Sequence, residues 1–135
     1  MFEELAKQAL KAREKAYCPY SGFAVGAAVM TADRQHIYTG CNIENSSFSA
    51  SCCAERTAVF KAVSQGEHGF AAIAIAGGPA GAEPSDYTPP CGSCRQVLSE
   101  FCDPEMPVIL VKSSNEMKTY SLGQLLPVTF ALQEN

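Results

Sequence analysis

Between His36 and Lys112 the chain alternates strand-like and helix-like stretches, and this alternation limits its fold more than any other feature. The strand-like runs are His36 to Cys41, Phe70 to Ala76 and Pro107 to Lys112. Between them lie two helical stretches, Cys52 to Val63 with Ala54, Ala58, Val59 and Ala62 on its apolar faces, and Gly92 to Phe101. Ser49 or Ser51 is placed to cap the first helix and Gly66 to release it, while Asp103 and Pro104 end the second. Two strand, helix, strand units in succession require a sheet with parallel members, right-handed crossovers and helices on its faces. Two antiparallel additions extend it. Phe23 to Met30 pairs with His36 to Cys41 across the turn Thr31-Ala32-Asp33-Arg34-Gln35, and Met117 to Tyr120 returns along Pro107 to Lys112 as an edge strand. An amphipathic helix, with Phe2, Leu5, Ala6, Ala9, Leu10 and Ala16 on one face, comes first and is stopped by Pro19 and Gly22. Leu122 to Leu126 forms a last helical turn. The expected class is an α/β layered domain.

At 135 residues, 47% hydrophobic and 18% charged, residues 1–135 have the size and composition of one globular domain. A net charge of -4, without a run of Lys or Arg to follow a phosphate backbone, argues against polymeric nucleic acid as a partner. Residues 1–17 carry Glu3, Glu4, Lys7, Lys11, Arg13, Glu14 and Lys15, unlike a signal peptide, and no apolar run reaches the ~18 residues that span a bilayer. A cytoplasmic location without membrane contact is the expectation. There the 7 cysteines stay reduced, and their odd number suits metal binding, catalysis or burial better than a disulfide framework.

Two cysteine-bearing segments open the two central helices: Ser51-Cys52-Cys53-Ala54-Glu55-Arg56 and Pro89-Pro90-Cys91-Gly92-Ser93-Cys94-Arg95-Gln96. In such sheets, loops leaving the carboxyl ends of strands are where sites are built. A helix N-terminus favours thiolate over thiol, which makes each cysteine a better soft ligand. Three thiolates, Cys53, Cys91 and Cys94, leave a tetrahedral Zn²⁺ one open position for water, the mark of a catalytic site. Glu55, two residues from Cys53, is placed to carry protons without ligating the metal. The pattern Cys53-Ala54-Glu55 followed by Pro90-Cys91-Gly92-Ser93-Cys94 resembles the zinc-deaminase signature in its three-cysteine form. Three thiolates on one dication leave a formal charge of -1, so a nearby cation is expected, and Arg56 is assigned to donate hydrogen bonds to ligand sulfur. A structural zinc with Cys52 as fourth ligand is the competing reading. Neighbouring helical positions point about 100° apart, which makes Cys52 and Cys53 awkward joint ligands. A C-x-x-C redox centre would leave Cys53 and Glu55 without a purpose.

The stretches Ala16 to Phe23, Gly40 to Asn45, Cys53 to Ala58, Pro90 to Val97 and Leu125 to Pro127 together resemble the small homotetrameric cytidine deaminases over nearly the whole chain. That resemblance implies a three-layer α/β/α fold around a five-stranded mixed sheet, one zinc per subunit, and sites completed by neighbouring subunits. It also implies hydrolysis of cytidine or deoxycytidine to the uridine analogue and ammonia. Glu55 would protonate N3 as activated water adds to C4, then pass a proton to the departing amine.

Asn42 and Glu44, two apart at the end of an extended segment, face one side and suit sugar hydroxyls, and the resemblance assigns both to ribose. The alternative is a turn in which Asn42 and Asn45 bond their own backbone. The resemblance places Phe23, Phe48, Ala54 and Phe130 around the substrate as well, with Phe130 reaching a neighbour's site. Phe48 replaces a tyrosine frequent in that family, so a hydroxyl contact is lost there. A Phe at a strand start is also an ordinary core residue. Cys18, Cys41 and Cys102 lack metal spacing and are expected to be small buried hydrophobes. His36 and His68 receive no role. The segment Asn42-Ile43-Glu44-Asn45 favours a nucleoside over a cytosine-containing antibiotic such as blasticidin S.

Overall fold

A computed structural model describes residues 2–134. The elements run α1 (Glu3–Ala12), a 3₁₀ turn (Arg13–Lys15), β1 (Phe23–Thr31), β2 (Ile37–Cys41), a second 3₁₀ turn (Phe48–Ala50), α2 (Ala54–Ser64), β3 (Phe70–Pro79), α3 (Gly92–Phe101), β4 (Pro107–Ser113), β5 (Glu116–Ser121) and α4 (Leu122–Leu125). The five strands form one mixed sheet in the order β2-β1-β3-β4-β5. Pairing is antiparallel for β1 with β2, β1 with β3 and β4 with β5, and parallel for β3 with β4.

Both expected strand, helix, strand units are present, but they differ in kind. The β3-α3-β4 unit joins neighbouring parallel strands. The β2-α2-β3 unit joins strands that run the same way with β1 inserted between them, antiparallel to each. The hairpin claims the inner side of β2, so α2 has to cross over β1. The site is unaffected, because β2 and β3 still end at the same edge of the sheet and the loops to α2 and α3 leave from there.

Period-two alternation in β3 divides the core. Ile73 and Ile75 join Ala58, Val59 and Ala62 of α2, Leu98 of α3 and Val108 and Leu110 of β4 on one face. Ala72, Ala74 and Ala76 point the other way, to Leu5, Ala6 and Ala9 of α1 with Ile109 and Val111. The result is three layers, α1 on one face and α2 with α3 on the other. Two glycines let helices lie directly on strands. A Cβ on Gly26 would overlap backbone atoms of Ala9 and Arg13, and one on Gly40 would overlap backbone atoms of Ala54 and Ala58.

Some boundaries differ from those expected. The first helix stops at Ala12 rather than continuing toward Pro19, and Ala16 turns to extended backbone. The chain straightens there because Tyr17 pairs with the 42–44 segment, its N–H on Asn42 O and its carbonyl taking the Glu44 N–H. α2 begins at Ala54 with Cys53 as its cap residue and no side-chain cap, so neither Ser49 nor Ser51 caps it. The Ser51 hydroxyl instead accepts the Asn45 N–H, and Cys52 lies in an isolated bridge with Ile43. β3 runs on through Gly77 and Gly78 to Pro79, because β1 provides a partner along its full length.

Candidate active site

Cys53 and Cys91 occupy equivalent positions, each the extended residue that precedes a helix. The carbonyl of Cys53 accepts the Thr57 N–H and hydroxyl, and the carbonyl of Cys91 accepts the Arg95 N–H, which fixes both cysteines to their helix starts. Cys94 follows one turn into α3 and is fully buried. Among the described residues, the Sγ atoms of Cys53, Cys91 and Cys94 form a group within 4.8 Å of one another. The Cys53 and Cys91 sulfurs are 3.8 Å apart. Zinc bound to thiolates at its usual length in a tetrahedron holds two sulfurs about 3.8 Å apart, so these residues fit zinc. Cys52 is outside the group, which removes the four-cysteine arrangement.

Electrostatics favour thiolate at Cys53. Hydrogen bonding from Cys94, with Arg56 and Cys91 adding to it, pulls the Cys53 thiol down to about 5 against the cost of its partial burial. Cys94, sharing that hydrogen bond and more deeply buried, is held up. Arg56 Nη2 donates to Cys53 Sγ at 3.3 Å, and this bond raises the proton affinity of the guanidinium further. Arg56 Nε is buried with no hydrogen-bond partner among the described residues. Arg95, next to the cluster in sequence, turns away and donates to Pro90 O and Leu125 O.

Glu55 is 4% exposed, in the first turn of α2 beside Cys53. Burial pushes its carboxyl up to about 7, with a smaller contribution from the Cys53 charge. A carboxyl balanced near neutrality can take a proton and return it within one turnover.

Asn42 and Glu44 sit at the same end of the sheet, against the start of β1. Asn42 spans that strand end, with Oδ1 accepting Val25 N–H at 2.9 Å and Nδ2 donating to Phe23 O at 2.8 Å. It does not form the local turn considered from sequence. Asn45 does, its Oδ1 accepting Ser47 N–H. Glu44 accepts three hydrogen bonds from the turn Cys18-Pro19-Tyr20-Ser21-Gly22, and the strongest influence holding its carboxyl below the usual range is the Ser21 hydroxyl.

The remaining candidates are placed unevenly. Phe23 is 40% exposed and its ring lies against Gly77, as does Thr88, so Phe23 is not a core residue. Ala54 is fully buried under the sheet, which leaves its backbone rather than its methyl to meet a ligand. Phe48 is 89% exposed and Phe130 67% exposed, and the backbone of Phe130 is tied to α3 by the Gln96 amide. Cys18, Cys41 and Cys102 are half-buried rather than fully buried. Cys41 donates to Lys15 O, and burial pushes the Cys102 thiol up to about 12. Sequence reasoning missed the contacts of Tyr20, Ser21 and Ser46. Their pairings join segments far apart in the chain, such as Tyr20 Oη with Ser46 Oγ at 2.6 Å, and no local spacing announces them.

Comparison with known proteins agrees with this geometry. Residues 2–110 match the family model described as the cytidine and deoxycytidylate deaminase zinc-binding region. The chain is 46% identical over 132 residues to the cytidine deaminase of Sporosarcina psychrophila, covering 98% of this chain and 93% of that one. It is 42% identical over 130 residues to the cytidine deaminase of Halalkalibacterium halodurans, covering 96% and 94%. The crystal structure of cytidine deaminase from Burkholderia pseudomallei superposes with a TM-score of 0.86 at 43% identity, covering 96% of this chain and 99% of that one. The matched region contains the sulfur cluster, Glu55 and Arg56, and the chain belongs to the cytidine and deoxycytidylate deaminase family.

Proposed function

We propose that this chain hydrolyses cytidine and deoxycytidine to uridine and deoxyuridine with release of ammonia, using one zinc held by Cys53, Cys91 and Cys94 and Glu55 as proton carrier. The observation that carries this reading is a buried carboxyl poised near pH 7 beside three thiols at zinc spacing. Bound zinc supplies Lewis acidity, which makes water acidic enough to act as a nucleophile near neutral pH. Glu55 takes a proton from the attacking water and delivers it to N3 as oxygen joins C4. It then moves the proton of the new hydroxyl to the amine, the C4–N bond breaks, and ammonia leaves with a carbonyl at C4. Arg56 offsets the excess negative charge of three thiolates through its bond to Cys53.

Sugar recognition falls to Asn42 and Glu44. After its two bonds to β1, the Asn42 amide keeps one N–H and one acceptor position, and Glu44 keeps one acceptor position beyond its three bonds. A sugar hydroxyl can donate to the carboxylate and accept from the amide. Phe23 lines the sugar and pyrimidine, and the Ala54 backbone at the start of α2 meets the base. Phe48 and Phe130, bare in the single chain together with Val128 and Leu132, support a homotetramer in which neighbouring copies complete the site. No helix among the described residues is long and apolar enough to cross a membrane. The free cysteines suit a cytoplasmic location, and the acidic chain suits a free nucleoside rather than a nucleic-acid polymer.

The test is to incubate protein of measured zinc content with cytidine, deoxycytidine, cytosine and blasticidin S, following loss of the aminopyrimidine absorbance. Turnover of the two nucleosides, with cytosine and blasticidin S much slower, is expected. Preference for blasticidin S, or for free cytosine, would overturn the nucleoside assignment.

A further inference from the structure

We propose that Ser21 is a positioning residue for sugar recognition, orienting Glu44 so that a single oxygen of its carboxylate is open to a ribose hydroxyl. This rests on the reading of Glu44 as a sugar contact.

The turn that carries Ser21 is closed by Gly22 N–H on Cys18 O, with Gly22 at φ +67, a conformation glycine adopts without strain. Gly22 O accepts the Ala80 N–H, and the Tyr20 hydroxyl pairs with Ser46, so the turn is anchored to the ends of both β3 and the Glu44 segment. Within it, two successive backbone amides converge on one oxygen. Tyr20 N–H donates to Glu44 Oε1 at 3.0 Å and Ser21 N–H to the same atom at 3.1 Å. Those two bonds fill both lone pairs of Oε1.

The Ser21 hydroxyl acts on the other oxygen. It donates to Glu44 Oε2 at 2.5 Å while accepting the Phe23 N–H at 3.0 Å. The accepted bond directs its one proton toward Glu44, and each link of such a chain polarises the next. One acceptor position on Oε2 remains. The carbonyl of the same residue, Phe23, accepts from Asn42 Nδ2, so the backbone at the start of β1 sets the orientation of both proposed sugar-binding side chains. Without the hydroxyl, the carboxylate would be held through Oε1 alone and free to swing Oε2 about it.

The test compares kcat/KM for cytidine with that for 2′,3′-dideoxycytidine, which lacks both ring hydroxyls, in the wild type, Ser21→Ala, Ser21→Thr, Glu44→Gln and the Ser21→Ala/Glu44→Gln double variant. Zinc content and thermal midpoint are measured for each. Ser21→Ala is expected to reduce the preference for cytidine roughly three- to tenfold, the size of one ordinary hydrogen bond, through KM rather than kcat. Ser21→Thr should restore the preference, and the double variant should lose little more than Glu44→Gln alone. If Ser21→Ala does not fold, Ser21→Cys provides the same ratio with a much weaker donor. A preference that falls in Glu44→Gln but not in the Ser21 variants, or losses that simply add, overturns the role of Ser21 and leaves Glu44 in place. An unchanged preference in Glu44→Gln overturns the reading of Glu44 itself, and this proposal with it.

Discussion

At the scale of single residues, the site depends on one carboxyl kept out of water. Below about pH 4.5, Glu55 in the metal-free protein is protonated whether the chain is folded or not, and its burial carries no ionic penalty. As pH rises from 4.5 to about 7 the unfolded chain ionises first, so stability falls, and above 7 the full cost persists. A tenfold change in proton affinity is worth about 1.4 kcal/mol, so that cost is about 3 kcal/mol. Metal-free Glu55→Gln should therefore gain on the wild type across this window and hold a constant advantage above it in denaturant titrations. A difference independent of pH would place the carboxyl in water. With zinc bound, the same variant should keep its metal and lose on the order of 10³-fold in kcat. Arg56→Gln breaks a charge-assisted bond to Cys53 and should lower kcat about tenfold at full zinc occupancy. Cys53, Glu55 and Arg56, and separately Cys91 and Cys94, were legible in the sequence because each set needs only a helix start to bring it together. Ser21 and Tyr20 were not, since their partners lie more than 20 positions away and only the folded turn aligns them.

At the scale of elements, the site is the meeting of two helix starts, and each is located by what lies beneath it. α2 rests on β2 at Gly40, where a side chain would collide with the helix backbone at Ala54 and Ala58 and with Thr57 Cβ. Gly40→Ala should cost about 1 to 3 kcal/mol of stability. Because α2 carries Cys53 while α3 carries Cys91 and Cys94, the same variant should weaken zinc binding, read by competition with a chelator. Unchanged zinc affinity in a destabilised protein would show that the ligands adjust independently of helix position. The order of strands and helices was readable from hydrophobic periodicity, and the helix over Gly92–Phe101 matches the expected boundaries. The insertion of β1 between β2 and β3 was not readable, because adjacency in a sheet depends on which edges remain free once the hairpin forms. The start of α2 was misplaced for a similar reason. Ser51 has the chemistry of a cap, but the 42–52 loop folds back and takes its hydroxyl for Asn45.

At the scale of the molecule, the two faces of the sheet have different tasks. The alanines of β3 bring α1 close and seal one side, while Ile73 and Ile75 on the other side support the helices that begin at the three clustered cysteines. The exposed apolar side chains lie mostly outside this scaffold, with Phe48 in a connecting turn and Val128, Phe130 and Leu132 after α4. Removing residues 128–135 should therefore leave the thermal midpoint little changed while lowering the mass seen by light scattering. An unaltered mass would separate this tail from assembly. The central claim is that these three thiols and one carboxyl form a zinc-dependent hydrolytic deaminase. It is tested most directly by measuring uridine and ammonia formed from cytidine as zinc is stripped from the protein and then returned in known amounts. The account predicts equal yields of the two products, activity lost with the metal, and recovery that saturates at one zinc per chain. Equal turnover by the stripped protein, or no turnover by protein carrying its full zinc, would contradict it.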